Sequence, residues 1–367
     1  MTARYLITGG AGFIGRHLCA ELLGAGHDVR ILDSFVPQVH GDSRQAPADV
    51  EVLTGDLRDA DLVQRALEGI DGVFHLAAEV GVGQSMYEIE RYVGGNDLAT
   101  AVLLDQIARS PIQRLVVASS MSVYGEGLYE GSDGTRFNAV RRVLKGGQRD
   151  WDPHGPDGET LLPVATAEDK PVDLASIYAL TKYAQERACL IVGGAYGVQT
   201  VALRLFNVFG PGQALSNPYT GVLANFGSRL LNNQPPMIFE DGKQKRDFVH
   251  VRDVSTAFAL AMHAPHVDGQ IINIGSGQDY TIETVARLLA DALGRTGFAP
   301  QILSKARAGD IRHCFADISR AKEVLGYWPA HRLEDSMEEV VEWLSASRAE
   351  DGGERARRQL EERGLVA

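Results

Sequence analysis

Tyr178-Ala179-Leu180-Thr181-Lys182 sets a phenol and an ammonium four residues apart. On a helix that spacing places both on one face. A phenol with a reference pKa of about 10 is a poor base at neutral pH, but a lysine one turn away favours the phenolate and brings it into range for proton transfer. Such a base acting on an alcohol needs a second hydroxyl to hold the reacting oxygen. Ser119-Ser120-Met121-Ser122 offers hydroxyls at the end of an apolar run, with Ser120 and Ser122 as candidates. Tyr-x-x-x-Lys alone equally describes a solvated helix face, and its weight here comes from the residues that accompany it.

The first of these is Thr8-Gly9-Gly10-Ala11-Gly12-Phe13-Ile14-Gly15, which follows an N-terminal apolar strand and opens a helix. Glycines let a backbone approach a pyrophosphate, and the helix N-terminus offers amides and a positive dipole end. Gly9, Gly12, Phe13, Ile14 and Gly15 are therefore candidate dinucleotide ligands. Asp33 ends the next strand, where a carboxylate accepts from both ribose hydroxyls and repels a 2′-phosphate. The neighbours Ser34, Phe35 and Val36 offer no arginine, so NAD is favoured over NADP. Asp56 and Leu57 follow the third strand, and Leu76-Ala77-Ala78 follow His75 at the end of the fourth with small residues for close approach. Asn96, Phe206 and Val208 complete the candidate cofactor set with Tyr178 and Lys182.

The elements that must position these groups alternate. Residues 5–8, 28–33, 51–53, 72–75 and 114–119 read as short buried strands, and 13–23, 60–67 and 97–108 carry helical spacing. That alternation predicts an α/β fold, a Rossmann-type doubly wound parallel sheet with a smaller α/β C-terminal substrate domain. The dinucleotide unit is expected over residues 1–206, with 247–275 returning to it. A Gly-, Asp- and Pro-rich insertion at about 126–172 is expected to lie over the surface, with periodicity only from Phe137 to Leu144. Residues 207–246 and 276–345 are expected to form the substrate unit, and the Arg- and Glu-rich residues 346–367 a polar tail forming a solvated helix that frays.

Composition narrows the partners. The 367 residues carry 36 Lys and Arg against 48 Asp and Glu, a formal charge of -12, which argues against nucleic acid. A few placed arginines still suffice to hold a small diphosphate. No long apolar run or leader is visible, so a soluble, cytoplasmic protein with no membrane contact is expected. Cys19, Cys189 and Cys314 are odd in number and far apart, consistent with reduced thiols.

Taken in order, Thr8–Gly15, Gly55-Asp56-Leu57, 75–78, 119–125, 178–182, 203–212 and 246–251 resemble the extended short-chain dehydrogenase/reductases, the NAD-dependent epimerase/dehydratase family, over about residues 3 to 345. In that family the catalytic Ser or Thr lies three residues before the Val of Val-Tyr-Gly, so the resemblance assigns Ser120 beside Tyr178 and Lys182. Family dehydratases carry Asp-Glu just before Val-Tyr-Gly, and decarboxylases carry Glu. Met121 and Ser122 stand there instead, and neither acts as an acid or base at neutral pH.

Epimerisation at C4 of a sugar nucleotide, or reduction of a 4-ketosugar nucleotide by NAD(P)H, remains; intact Ser120, Tyr178 and Lys182 disfavour a non-catalytic dinucleotide sensor. Phe35–Gly41, Ser216–Gly221 and Phe239-Glu240-Asp241-Gly242 are similar to the dTDP-L-rhamnose 4-epimerase group within the family. Relatives of that group place Cys-Pro-x-Cys in the insertion. Gly155 and Gly158 fill the two cysteine positions here, so no metal is expected. The resemblance implies a nucleoside-diphosphate sugar as partner and a homodimer in which one helix carries Tyr178. Asn207, Arg246 and Arg312 are the candidate ligands of diphosphate or sugar, because a guanidinium grips phosphate bidentately. Gln84 and Ser85 are candidate sugar contacts.

Overall fold

Residues 2–41, 45–138, 150–215, 221–347 and 351–366 are described by a computed structural model. The five apolar runs predicted as strands enter one parallel sheet: β1 (Arg4–Thr8), β2 (Asp28–Asp33), β3 (Glu51–Thr54), β4 (Gly72–His75) and β5 (Arg114–Ser120). Two later strands, β6 (Gln199–Leu205) and β7 (Ile271–Ile274), extend it to the order β7-β6-β5-β4-β1-β2-β3. Every pairing is parallel. Strands buried on both faces read as unbroken Val/Ile/Leu runs, which is why these segments were visible in the sequence. The chain grows outward from β1 to β3, then reverses at β4. Ligands bind at such a switch point, outside the carboxyl ends of the strands.

Helices cover both faces. α1 (Phe13–Gly24) buries Leu18, Cys19 and Leu22 in one core, where Phe258 and Ala261 of α6 (Val251–His263) meet them. On the other face Leu62 and Val63 of α2 (Ala60–Leu67), Leu103 of α3 (Ala99–Ile107) and Cys189 of α4 (Ile177–Tyr196) share a second core. The helical spacing from 97 resolves into a π-helical turn, Val93–Leu98, running into α3. A third core joins α5 (Val222–Leu231), α7 (Ile282–Ala292) and α8 (Met337–Ala346) through Phe226, Leu289 and Leu344. All of its buried members except Phe248 lie within 207–246 or 276–345.

Two expectations need correction. The insertion is not a loop laid over the surface. Leu128–Glu130 pairs antiparallel with Arg136–Phe137 on one side and Leu162–Val164 on the other. Tyr129 and Trp151 are buried, and the Lys170 ammonium donates to the carbonyls of Tyr124 and Pro171 at 2.9 and 3.0 Å. Gly155 and Gly158 hold a turn closed by Gly155 N to Glu159 O at 2.9 Å and Gly158 N to Gly155 O at 3.0 Å. Most of the periodic stretch 137–144 lies outside the described residues, as do Ser216 to Thr220.

The tail is helical as expected but packed rather than solvated. Residues 353–362 form α9 (Gly353–Glu362), which buries Ala356 and Leu360. Its charged positions hid an i, i+4 apolar pair too short to register as a periodic pattern.

Candidate active site

A cavity of about 890 Å³ runs from the carboxyl ends of the sheet to the third core. Its cofactor half is built from the glycine turn. Gly9 has φ +71°, and a Cβ there would lie 3.0 Å from the backbone of Ala77, so only glycine lets the turn and the Leu76-Ala77-Ala78 segment pass this closely. Gly12 begins α1 with no side-chain cap, leaving the first-turn amides of Phe13 and Ile14 to a ligand at the cavity wall. Asp33, Asp56, Leu57, Leu76, Ala77, Ala78, Phe206 and Val208 line the same half, with Gly9, Gly12, Phe13, Ile14 and Gly15. The Asp33 carboxylate accepts from the amides of Ala11 (3.0 Å) and Phe35 (2.8 Å), and His40 Nε2 stands 3.5 Å away.

Ser120, Ser122, Tyr178 and Lys182 meet where β5 and α4 approach the cavity. Ser176 caps α4, its hydroxyl accepting from Ala179 N at 3.1 Å. Ser120 ends β5, and its hydroxyl lies 3.1 Å from that of Ser122. Burial raises the Tyr178 phenol above its ordinary value, and a hydrogen bond with Ser120 works in the opposite direction. Lys182 is buried, which brings its ammonium down to about 8 against the pull of Cys189, Glu186 and Asp97. Its Nζ donates to Gln185 Oε1 at 2.8 Å, and Gln185 Nε2 donates in turn to Thr100 Oγ1 at 2.7 Å. His75 bridges Thr100 and Thr8 at 2.9 and 2.8 Å and is pushed down by burial to about 3, so it stays neutral.

A buried ion pair braces this corner from behind. Glu186, one turn beyond Lys182, accepts from the Ser119 hydroxyl at 2.6 Å and from Arg204 at 2.9 and 2.8 Å. It ties α4 to both β5 and β6. Nothing in the motif pattern marked Glu186 or Arg204, because their importance comes from a contact between distant segments.

Towards the third core, Asn207 and Arg246 line the cavity as expected. Asn207 Oδ1 and Gln244 Oε1 are buried there without a hydrogen-bond partner, and an unmet acceptor of this kind calls for a ligand donor. The Arg246 guanidinium donates to the carbonyls of Lys245 (2.9 Å), Arg312 (3.0 Å) and Ile311.

Four candidates sit elsewhere. Arg312 is fully buried off the cavity. Its Nε meets Asp152 at 2.8 Å, and its terminal nitrogens meet Glu240 at 3.0 Å and Asp241 at 3.1 Å. Three carboxylates consume the guanidinium, so it locks the insertion to the segment 240–241 rather than facing a phosphate. Asn96 is held by Glu79 N (2.6 Å), Glu79 O (3.2 Å) and Thr181 Oγ1 (2.9 Å), shaping the turn after Ala78 from below. Gln84 is engaged with Gln38 and Glu88 at 2.8 and 3.0 Å. The Ser85 hydroxyl donates to Val82 O at 2.7 Å and accepts from the Tyr178 amide at 3.0 Å.

Other residues line the cavity unannounced by the sequence. Arg307 lies 4.6 Å over the Phe239 ring, and α9 contributes Ala356, Arg357 and Leu360. Among the described residues no group of three or more His, Cys, Asp or Glu is placed to hold a metal ion.

The chain matches the NAD dependent epimerase/dehydratase family over residues 5–144 and 152–275. It is 33% identical to a dTDP-L-rhamnose 4-epimerase of Burkholderia thailandensis, with 93% of this chain and 95% of the relative covered. It is 32% identical to a putative UDP-glucose 4-epimerase of Methanocaldococcus jannaschii over 92% of this chain and 97% of the relative. Among solved structures it is similar to the UDP-glucuronic acid 4-epimerase of Bacillus cereus in complex with UDP-glucuronic acid and NAD. There the TM-score is 0.77 at 27% identity, covering 94% of this chain and 99% of that one.

Proposed function

This chain belongs to the NAD dependent epimerase/dehydratase family, and we propose that Ser120, Tyr178 and Lys182 make it a 4-epimerase of a dTDP- or UDP-hexose. The observation that carries this reading is their convergence at one end of the cavity while Met121 and Ser122, not carboxylates, line the wall beside them. Removal of water from the sugar needs an acid and a base at that wall, and neither residue is one.

The cavity fits NAD. Glycines admit the pyrophosphate at the N-terminus of α1, Asp33 stands at the ribose position, and the small Ala77 and Ala78 leave room beside it. When bound there, NAD would supply the hydride acceptor and donor for C4 of the sugar.

The residues of the chain handle the proton and the charge. Tyr178 as phenolate takes the proton of the 4-hydroxyl and later returns it. Ser120 donates to O4 and stabilises the negative charge that develops there. Lys182, whose Nζ donates to Gln185 Oε1 at 2.8 Å, favours the phenolate through its charge and would hold the cofactor ribose. Arg246, held in place by three carbonyls, faces the diphosphate, and Asn207 faces the diphosphate or sugar, where a sugar hydroxyl can donate to its buried Oδ1. Ser122 contacts the sugar.

We assign a homodimer and a cytoplasmic setting to the same reading. Val93 and Leu98 on the π-turn and Leu180 and Ile191 on α4 expose 40 to 61% of their surface on neighbouring helices, an apolar area suited to a second copy. Cys19, Cys189 and Cys314 are all buried thiols, as suits a reducing compartment. No helix among the described residues is long and apolar enough to cross a membrane.

Nucleotide sugar deuterated at C4 tests the chemistry. The expected product is the 4-epimer with deuterium still at C4 and no net NADH. Stoichiometric consumption of external NAD(P)H with a 4-ketosugar, without interconversion of epimers, would assign reduction instead. Light scattering on the purified protein tests the dimer.

A further inference from the structure

The helix α9 lies across the mouth of the cavity and touches both sides of it. Towards the third core, Asp351 pairs with Arg229 at 3.1 Å and Glu361 with Lys305 at 2.7 Å. Towards the sheet, Gln359 accepts from the Tyr87 hydroxyl at 3.4 Å, and the Arg363 guanidinium lies 4.3 Å over the Tyr87 ring. Beyond the helix, Leu365 O accepts from Ala308 N at 2.8 Å and Val366 bridges Arg307.

Inside this strap, Ala356 and Leu360 stand one turn apart on one face, are 7% and 5% exposed, and line the cavity. A Cβ placed on Gly83 would come within 3.5 Å of both Leu360 methyls. Gly83 is two residues from Ser85, whose hydroxyl receives the Tyr178 amide. Leu360 therefore packs against the short helical turn 82–85 that carries Ser85.

The charges nearby are already matched. Arg91 is held by Glu79 and Glu88 at 2.7 and 2.9 Å, and Arg357 by Glu354 and Glu361 at 2.9 and 2.7 Å. Val82, Gly83 and Met86 face the same space. A carboxylate brought here would lose its hydration against Leu360 and Met86, with the adjacent guanidiniums already paired.

We propose that α9 is the outer wall of the sugar subsite, where Leu360, Gly83 and Met86 receive the C5–C6 side of the hexose and select an uncharged sugar over a uronic acid. The sugar preference rests on the nucleotide-sugar reading above; the closure of the cavity by α9 does not.

Three variants of the full-length enzyme test it: a chain ending at Ser347, Leu360→Ala and Leu360→Arg. The shortened chain is expected to keep its NAD, since the cofactor half is walled by other segments, and to raise KM for a neutral nucleotide hexose about tenfold or more. Its bound NAD should also be reduced faster by borohydride, followed at the NADH absorbance. Leu360→Ala should raise KM with a smaller effect on kcat. Leu360→Arg should shift the ratio of kcat/KM for the neutral sugar over the matching uronic acid by about tenfold towards the acid.

An unchanged borohydride rate and KM in the folded shortened chain would overturn the wall. A wild type that prefers the uronic acid, or an unchanged preference in Leu360→Arg, would overturn the selection. If the shortened chain does not fold, the two Leu360 variants carry both readouts. If the wild type epimerises no nucleotide sugar, the functional reading fails while the borohydride rate still decides whether α9 closes the cavity.

Discussion

The backbone amide of Tyr178 donates to the Ser85 hydroxyl at 3.0 Å, so a side chain expected against the sugar instead completes the first turn of α4. The amides of a first helical turn have no partner within the helix. Ser176 takes that of Ala179, and Ser85, from a segment 93 residues earlier, takes that of Tyr178. The first turn of α4 is thereby fixed relative to the short helical turn 82–85, whose Val82 and Gly83 line the cavity.

Replacing Ser85 by Ala leaves the Tyr178 amide unpaired and loosens the turn at a cost of about 1 kcal/mol. The expected kinetic effect is a fall in kcat of about three- to tenfold with KM and NAD content nearly unchanged, because geometry of the base is lost and not a substrate contact. Steady-state kinetics separates the two roles: a raised KM at constant kcat would return Ser85 to the sugar.

Lys182 is expected to set the pH range of the reaction. Burial brings its ammonium down to about 8, and burial raises the Tyr178 phenol above its ordinary value, so the phenolate depends on a nearby cation. Above about 8 Lys182 loses its proton and that support fades, which is expected to give kcat an alkaline limb. Lys182→Met should move the acid limb upward by about one unit or more and abolish the alkaline limb, with kcat reduced by about a hundredfold or more. Tyr178→Phe should lose turnover by about three orders of magnitude while still holding NAD. A pH profile unmoved by Lys182→Met would show that the lysine does no more than bind.

The sheet, its strands and the meeting of Ser120, Tyr178 and Lys182 at one cavity were legible because they depend on local signals. The strands buried on both faces are continuous apolar runs, the turn at Gly9 demands glycine, and Tyr178 and Lys182 share a helix face by spacing alone. What escaped depends on distance in the chain. Arg312 and Arg246 carry the same group and look equally suited to phosphate. Only the fold brings Asp152, Glu240 and Asp241 around Arg312 and leaves Arg246 on the cavity. The tail reads as solvated because Arg and Glu recur through it, and Leu360 acquires meaning only opposite Gly83.

Arg312 accordingly yields a stability prediction. Arg312→Met removes the cation from a buried cluster that includes the fully buried Glu240, and an uncompensated interior charge costs about 3–5 kcal/mol. Urea denaturation should show an unfolding free energy lowered by that amount, seen as a lower midpoint at unchanged slope, and the NAD content of the folded fraction should match wild type. A normal midpoint combined with a large rise in KM for the nucleotide sugar would restore the phosphate role.

Asp33 carries two duties whose separation makes it the most informative cofactor position. Its carboxylate accepts from Ala11 N in the glycine turn and from Phe35 N beyond β2, so it braces the turn as well as facing the ribose. Asp33→Asn keeps one acceptor oxygen for the brace and removes the negative charge that repels a 2′-phosphate. His40, 3.5 Å from the carboxylate, then becomes the nearest group to meet such a phosphate. The expected outcome is a loss of NAD affinity of about tenfold with a smaller loss, or a gain, for NADP, so that the ratio of the two dissociation constants moves by about tenfold or more. Titration of both cofactors measures the ratio directly. Equal losses for NAD and NADP would leave Asp33 with the brace alone.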